Sequence, residues 1–380
     1  MITNPSDSSN VEPIGSRSKA AFDSVAVICS CHFNAVGIAL SLREIGWHGP
    51  IVCLKINTKE GVTAERFPHL CKCLPLNIRT PQELPETIVK WTPADQIGAV
   101  FFCDERFLAA FNETTKLIFP NACIHTGSVD HLESILDRKL FYRRLEESNC
   151  SDIPVTFDSS QDPWKLAGDA FRTRVWRSWR GLEKLPRGRT IRSSRELREW
   201  QILCKEKNLG PEEWGYQELL STAPKDVVSV CGWHGLEGAI YRTTRWIKQS
   251  GENAWLVEAN DGDHELWRTT RNVLDLFEYT GPFELEFVRH PTTGKFHIIE
   301  LNPRFWLQHR LLGNILVQRY LGISNGHRTQ AMPRYWVNTD AALSLRTILR
   351  HPDVLPYLLH AVWAIPVRGS IRPSVRWLMR

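Results

Sequence analysis

Residues 283–304, FELEFVRHPTTGKFHIIELNPR, hold two short runs of alternating character around a Pro-Thr-Thr-Gly turn. This pattern predicts an antiparallel hairpin, because strand side chains point alternately to opposite faces and a Pro- and Gly-containing turn reverses the chain. Leu285 and Phe287 then share one face of the first strand, and Glu284 and Glu286 the other. On the returning strand Ile299 and Leu301 form one face, with Ile298, Glu300 and Asn302 on the other. Register across the turn sets Glu286 beside Glu300. Two carboxylates at that spacing repel unless a cation or a shared proton lies between them. Asn302 adds a neutral oxygen, and the resulting oxygen-only set suits Mg²⁺, which fills its other positions with water and phosphate oxygens. A solvated sheet face, neutralised by Lys295 or an arginine, is the competing explanation for a bare pair of glutamates. The continuation Asn302-Pro303-Arg304 favours the metal, since it sets a fixed cation just past two acids, an arrangement suited to a phosphoryl group in transfer.

Composition narrows the function classes. At 380 residues and 42% hydrophobic content, the chain can bury a sizeable core in two or three lobes. The formal net charge of +5 is localised, because residues 331–380 hold seven Arg against two acids. The remainder is balanced, so nucleic-acid binding is not indicated. No apolar run reaches the length of a membrane span, and the polar N-terminal stretch lacks a signal-peptide core, so a cytoplasmic protein without a transmembrane segment is expected. The ten cysteines are expected as free thiols in a reducing compartment. The pairs Cys29/Cys31 and Cys71/Cys73 are spaced C-x-C, not the C-x2-C of zinc knuckles, and read more simply as small buried residues near strand ends.

Along the chain, residues 1–20 read as a disordered lead-in. VAVIC (25–29), a helix over 33–46 and GPIVCLKI (49–56) open a doubly wound α/β domain whose first loop faces ligand space. GAVFFC (98–103) and KLIFPN (116–121) are expected as further strands, with a helix around 104–113 between them. Neither G-x-G-x-x-G after the first strand nor a P-loop is present, so nucleotide chemistry must rest on another device. A single helix is expected over 131–148, another over 193–207 with Ser193 as its cap and Glu196 behind it, strands within 214–222 and 225–246, and a helix over about 263–279.

GPFELEF (281–287) followed by IIELNPRFW (298–306) resembles the carboxy-terminal signature of the ATP-grasp superfamily, and most nearly its carboxylate–amine ligases similar to D-aspartate ligase. The resemblance extends over roughly residues 24–320. It implies a mixed α/β and α+β fold with an N-terminal doubly wound pre-ATP-grasp domain (21–125). An ATP-grasp domain (126–320) would hold ATP between a central lobe (150–220) and a C-terminal lobe (221–320), followed by a helical, basic extension (321–380). It further implies that Lys139, in Asp137-Arg138-Lys139, and Arg177, where relatives carry Lys, contact the phosphates and act in catalysis with Arg304. Gln217, Glu218, Leu219 and Leu220 would face the adenine and Asp226 the ribose, while Glu286, Glu300 and Asn302 would hold Mg²⁺. Trp233, His234, Arg242 and Arg245 fall where relatives place acceptor and phosphate contacts, and aromatic packing with solvated arginines explains them as well.

The implied activity is ATP-dependent joining of a carboxylate to an amine through an acyl phosphate, with ATP and two Mg²⁺ ions, Mn²⁺ being an alternative. The partners are small molecules, and a homodimer is the default assembly. The loop Arg180–Arg189 is basic where many relatives carry small residues, which leaves open a degenerate nucleotide-binding protein. The block 335–380, mixing Trp, Leu and Arg, suits either a helical lid or an interfacial membrane segment.

Overall fold

The computed structural model describes residues 22–56, 64–111, 113–126, 129–161, 173–177, 190–210, 214–221, 223–235, 238–250, 253–323, 332–339 and 349–364. The lead-in 1–20, the basic loop 180–189 and the segment 365–380 lie outside them.

Strands β1 (Val25–Cys29), β2 (Ile51–Ile56), β3 (Lys72–Leu76) and β4 (Ile97–Phe102) form an all-parallel sheet in the order β3-β2-β1-β4. VAVIC and IGAVFF are buried throughout, as parallel strands covered on both faces must be. Helix α1 (Phe33–Glu44) lies on one face with Trp47, Trp306 and Tyr320, while α2 (Leu84–Trp91), Phe111 and Phe119 pack on the other. The winding reverses between β1 and β4, so their carboxyl ends border a crevice at the switch point. Asn34 Nδ2 spans its two sides by donating to the Cys103 carbonyl at 3.4 Å.

KLIFPN does not form the expected strand. Helices α3 (Glu105–Leu108) and α4 (Glu113–Lys116) precede a turn in which Leu117 and Ile118 are 79% and 39% exposed. Phe119 turns in to stack on Phe111. The apolar run is too short before Pro120 to alternate, and the chain rejoins the sheet later, at the Ala99–Cys123 bridge.

The single helix expected over 131–148 is two, α5 (Val129–Leu136) and α6 (Arg138–Glu147). Asp137 separates them with an extended backbone (φ −89°, ψ 113°), and its Oδ1 accepts from the amides of Lys139 (2.9 Å) and Leu140 (3.2 Å). Asp competes with helix continuation because its short carboxylate satisfies otherwise orphaned amides at a helix start.

A small antiparallel sheet follows in the order β5-β8-β6-β7, from β5 (Thr156–Asp158), β6 (Thr173–Arg177), β7 (Thr190–Ile191) and β8 (Trp214–Glu218). Helix α7 (Ser194–Glu206) backs it through Leu197 and Trp200, which meet Trp214 and Tyr216. Its start follows the expected capping: Ser193 Oγ accepts from Glu196 N (3.3 Å), and Glu196 accepts from Arg192 N (2.8 Å).

The largest sheet runs β13-β12-β9-β10-β11-β14-β15. Its strands are β9 (Val227–His234), β10 (Ile240–Ser250), β11 (Asn253–Asn260), β12 (Gly281–Arg289), β13 (Phe296–Asn302), β14 (Tyr335–Val337) and β15 (Ala361–Trp363). Helices α6 and α8 (His264–Leu276) cover one face. The other faces the parallel sheet, where Cys231 and Trp233 join its core beside α9 (Ile315–Tyr320). The extension expected as helical supplies β14 and β15, with the short α10 (Leu355–Leu358) between them. Among the described residues, no helix is long and apolar enough to cross a membrane.

Candidate active site

The β12–β13 hairpin pairs Glu284 with Asn302, Leu285 with Leu301, and Glu286 with Glu300. Leu285 and Leu301 are buried in the core, so the three glutamates and Asn302 occupy the opposite face, toward the parallel sheet. Beyond this point the register shifts and Phe287 pairs with Ile298. Ile299 is therefore the extra residue of a β-bulge, and Ile298 enters the core with Phe287 and Leu301. The expected grouping of Ile298 with Glu300 and Asn302 fails for that reason: one inserted residue reverses the alternation.

The displaced Ile299 carbonyl is captured by α6. Arg138 Nη1 donates to it at 2.8 Å and the Tyr142 hydroxyl at 2.6 Å. Arg138 also pairs through Nη2 with Glu300 Oε2. Buried Gln217 Nε2 donates to the Tyr142 hydroxyl at 2.5 Å, which links β8 of the small sheet to the bulge.

At the other end of the hairpin Arg304 pairs through Nε with Glu105, the first residue of α3, just past the carboxyl end of β4. Its Nη2 donates to Asn302 Oδ1 (3.4 Å), while Asn302 Nδ2 lies 3.4 Å from both Glu284 Oε2 and Glu300 Oε1. Burial, and then the Glu286 charge, push the Glu284 carboxyl up to about 8, although Arg304, Ser229 and Asn302 counteract both. Burial works against the Arg304 charge, but Glu105, Asp104 and Glu284 more than offset it and hold the guanidinium above its ordinary range.

Among the described residues, no three His, Cys, Asp or Glu side chains gather to hold a metal ion. The hairpin instead offers two facing carboxylates and one amide oxygen. That donor set fits an ion that completes its shell from water and phosphate oxygens, provided the Asn302 amide rotates its oxygen toward the carboxylates. In the C-x-C pairs, burial pushes the Cys31 thiol up to about 11, and hydrogen bonding with Cys53 pushes that of Cys71 up to about 12.

The other residues singled out in the sequence fall in different places. Lys139 pairs with Asp158 on β5 at 2.8 Å, and the α6 cation paired with Glu300 is Arg138. Arg177 ends β6 opposite Trp214; its side chain lies outside the described residues. Glu218, half-buried Leu219, buried Leu220 and Asp226 lie on the crossing from β8 to β9, which joins the two lobes. Glu218 accepts from His290 Nε2 at 3.1 Å, and Asp226 accepts from Ser221 Oγ at 2.5 Å and faces Arg289 Nε at 3.4 Å. Both acids thus tie the crossing to the hairpin.

Trp233 is buried edge-on to His125, with ring centroids 5.0 Å apart. His234 sits between the Tyr241 hydroxyl (2.6 Å) and Asp275 (3.1 Å), and burial lowers its pKa despite Asp275. Arg242 is buried on Asp261 (2.8 Å) and the Pro333 carbonyl (2.7 Å), whereas Arg245 is exposed. Cys231 pairs with both Glu284 and Arg242, so Arg242 and Trp233 lie on the same sheet face as Glu284, on the strands beside the hairpin. Sequence reasoning missed Glu105, Arg138, Tyr142 and the role of Glu284. The signals were the position just after β4 for Glu105 and simple alternation for Glu284.

No family model matches this chain, and no curated protein does. Solved structures do. An N5-carboxyaminoimidazole ribonucleotide synthetase in complex with ADP superposes with a TM-score of 0.62 at 14% identity, covering 88% of this chain and 86% of its own. The N5-carboxyaminoimidazole synthetase from Staphylococcus aureus, also with ADP, gives 0.61 at 12% identity over 87% and 86%. Biotin carboxylase from Campylobacter jejuni, in a β,γ-ATP complex, gives 0.60 at 13% identity over 83% and 74%. At such identities the likeness speaks to architecture, and that architecture, a parallel N-terminal sheet followed by two antiparallel lobes, is the ATP-grasp fold.

Proposed function

We propose that this chain is an ATP-dependent carboxylate–amine ligase. The observation that carries the reading is the hairpin face, where Glu286 stands directly across from Glu300, with Asn302 and Arg304 following on the same strand end. The ADP and ATP complexes of the similar structures support a nucleotide between the two lobes.

Glu286, Glu300 and Asn302 would hold Mg²⁺, which when bound neutralises charge on the phosphate oxygens. Arg304, fixed by Glu105, keeps a permanent positive charge where a phosphoryl group would pass. Arg138 is a second fixed cation at the same face, and Lys139 and Arg177 are the further candidates for phosphate contact. Gln217, Glu218, Leu219, Leu220 and Asp226 border the crossing between the lobes, where adenine and ribose would lie. In the reaction a carboxylate oxygen of the first substrate attacks the γ-phosphorus, giving an acyl phosphate and ADP. The amine nitrogen then attacks the acyl carbon, phosphate leaves, and the nitrogen's proton passes to solvent. No protein nucleophile is required.

The test is coupled ADP release from Mg-ATP with pools of amino acids and small carboxylates, with and without amines, and Glu300→Gln as the blank. Release that needs both substrates and is abolished in the variant, with folding retained, is expected. Nucleotide binding with no release from any pool would favour a nucleotide-binding protein without ligase activity.

A further inference from the structure

Asp137 caps α6 so that Arg138 is its first helical residue, and the guanidinium reaches the hairpin from there. Two contacts fix it: Nη2 on Glu300 Oε2, and Nη1 on the Ile299 carbonyl at 2.8 Å. The carbonyl is itself held by Tyr142 at 2.6 Å, and Tyr142 by Gln217 at 2.5 Å. Glu300's other oxygen meets the Asn302 amide at 3.4 Å. Both members of the pair are partly exposed, at 24% and 28%.

We propose that this site takes up a single divalent ion between Glu286 and Glu300, and that Arg138 stands in place of a second. The proposal rests on the reading of Glu286, Glu300 and Asn302 as metal holders. A second ion sharing Glu300 needs lone pairs on Oε2, and those face the guanidinium. Arginine does not lose its proton, so the guanidinium keeps its hold on Oε2 at any working pH and leaves Oε1 as the Glu300 oxygen open to an ion. The pairing of Lys139 with Asp158 leaves that side chain engaged on the small sheet, and Arg138 carries the charge at the hairpin.

The experiment counts bound Mn²⁺ per bound nucleotide by equilibrium dialysis, with a saturating non-hydrolysable ATP analogue, and follows the Mn²⁺ spectrum by electron paramagnetic resonance. Arg138→Gln removes the charge but keeps a donor for the Ile299 carbonyl, and Arg138→Lys keeps the charge. The expected result is one ion in the wild type and in Arg138→Lys, rising to two in Arg138→Gln with the thermal melt unchanged. Two ions in the wild type would overturn the proposal while leaving the metal site standing, and so would one ion in a folded Arg138→Gln. No ion in the nucleotide-bound wild type would remove the metal reading itself.

Discussion

Arg304 and Glu105, 199 residues apart in sequence, meet as an ion pair between the end of the hairpin and the first turn after β4. The contact fastens the metal-facing strand to the crevice of the parallel sheet. Glu105→Gln should leave the guanidinium underneutralised and free to swing. ATP turnover should fall about ten- to a hundred-fold, the scale of a small misplacement of a catalytic group. Steady-state kinetics beside a urea melt would show this, and unchanged turnover would mean that Glu105 does not position Arg304.

The Asp137 cap gives a separate handle on the same site. Asp137→Ala removes the acceptor for two amides and should cost about 1 kcal/mol. Asp137→Asn should lose little, because Asn caps comparably well. Urea unfolding of the two variants would check the order.

How much of this was legible in sequence depends on how local the cause is. The β1-α1-β2 start, the facing Glu286 and Glu300, and the Ser193 cap follow from periodicity and short-range hydrogen bonds. The bulge at Ile299 does not, because its carbonyl is held by Arg138 and Tyr142, 161 and 157 residues earlier. The break at Asp137 was hidden since apolar spacing continues through Leu136, Leu140 and Phe141 on both sides of it. That break is also why Arg138, and not Lys139, addresses Glu300.

Gly37 lies on α1 where a Cβ would stand 2.7 Å from His309 Cε1 and 2.9 Å from its Nε2. The ring is fully buried, beside Phe305 and Trp306, and has no room to yield. Gly37→Ala should therefore destabilise by about 1–3 kcal/mol, outweighing the helical preference for Ala. A lowered urea midpoint with an unchanged slope would bear this out.

His309 also predicts an acid limit. Burial lowers its pKa to about 4, with Arg310 adding to the effect, although Nδ1 donates to the Trp306 carbonyl at 2.8 Å. Between that value and about 6.5 the unfolded chain binds the proton and the folded chain does not. Stability from this group is thus complete above about pH 6.5 and falls as pH drops toward 4, by a total on the order of 3 kcal/mol. Unfolding free energies at pH 7 and 4.5 should differ by less in His309→Leu than in the wild type.

The bulge makes the hairpin unequal in its tolerance of length changes. At the tip, where the Lys295 carbonyl accepts from His290 N at 2.7 Å and Gly294 adopts φ +71°, an added residue enlarges a solvent-facing loop and leaves the ladder intact. Between Phe287 and Glu300 the cost of a change falls elsewhere: deleting Ile299 would keep Glu300 opposite Glu286 and Ile298 opposite Phe287 in a regular ladder, but would remove the bulged carbonyl that Arg138 and Tyr142 hold. The spacing of this pair of acids is therefore counted in residues that include one with no partner in the ladder.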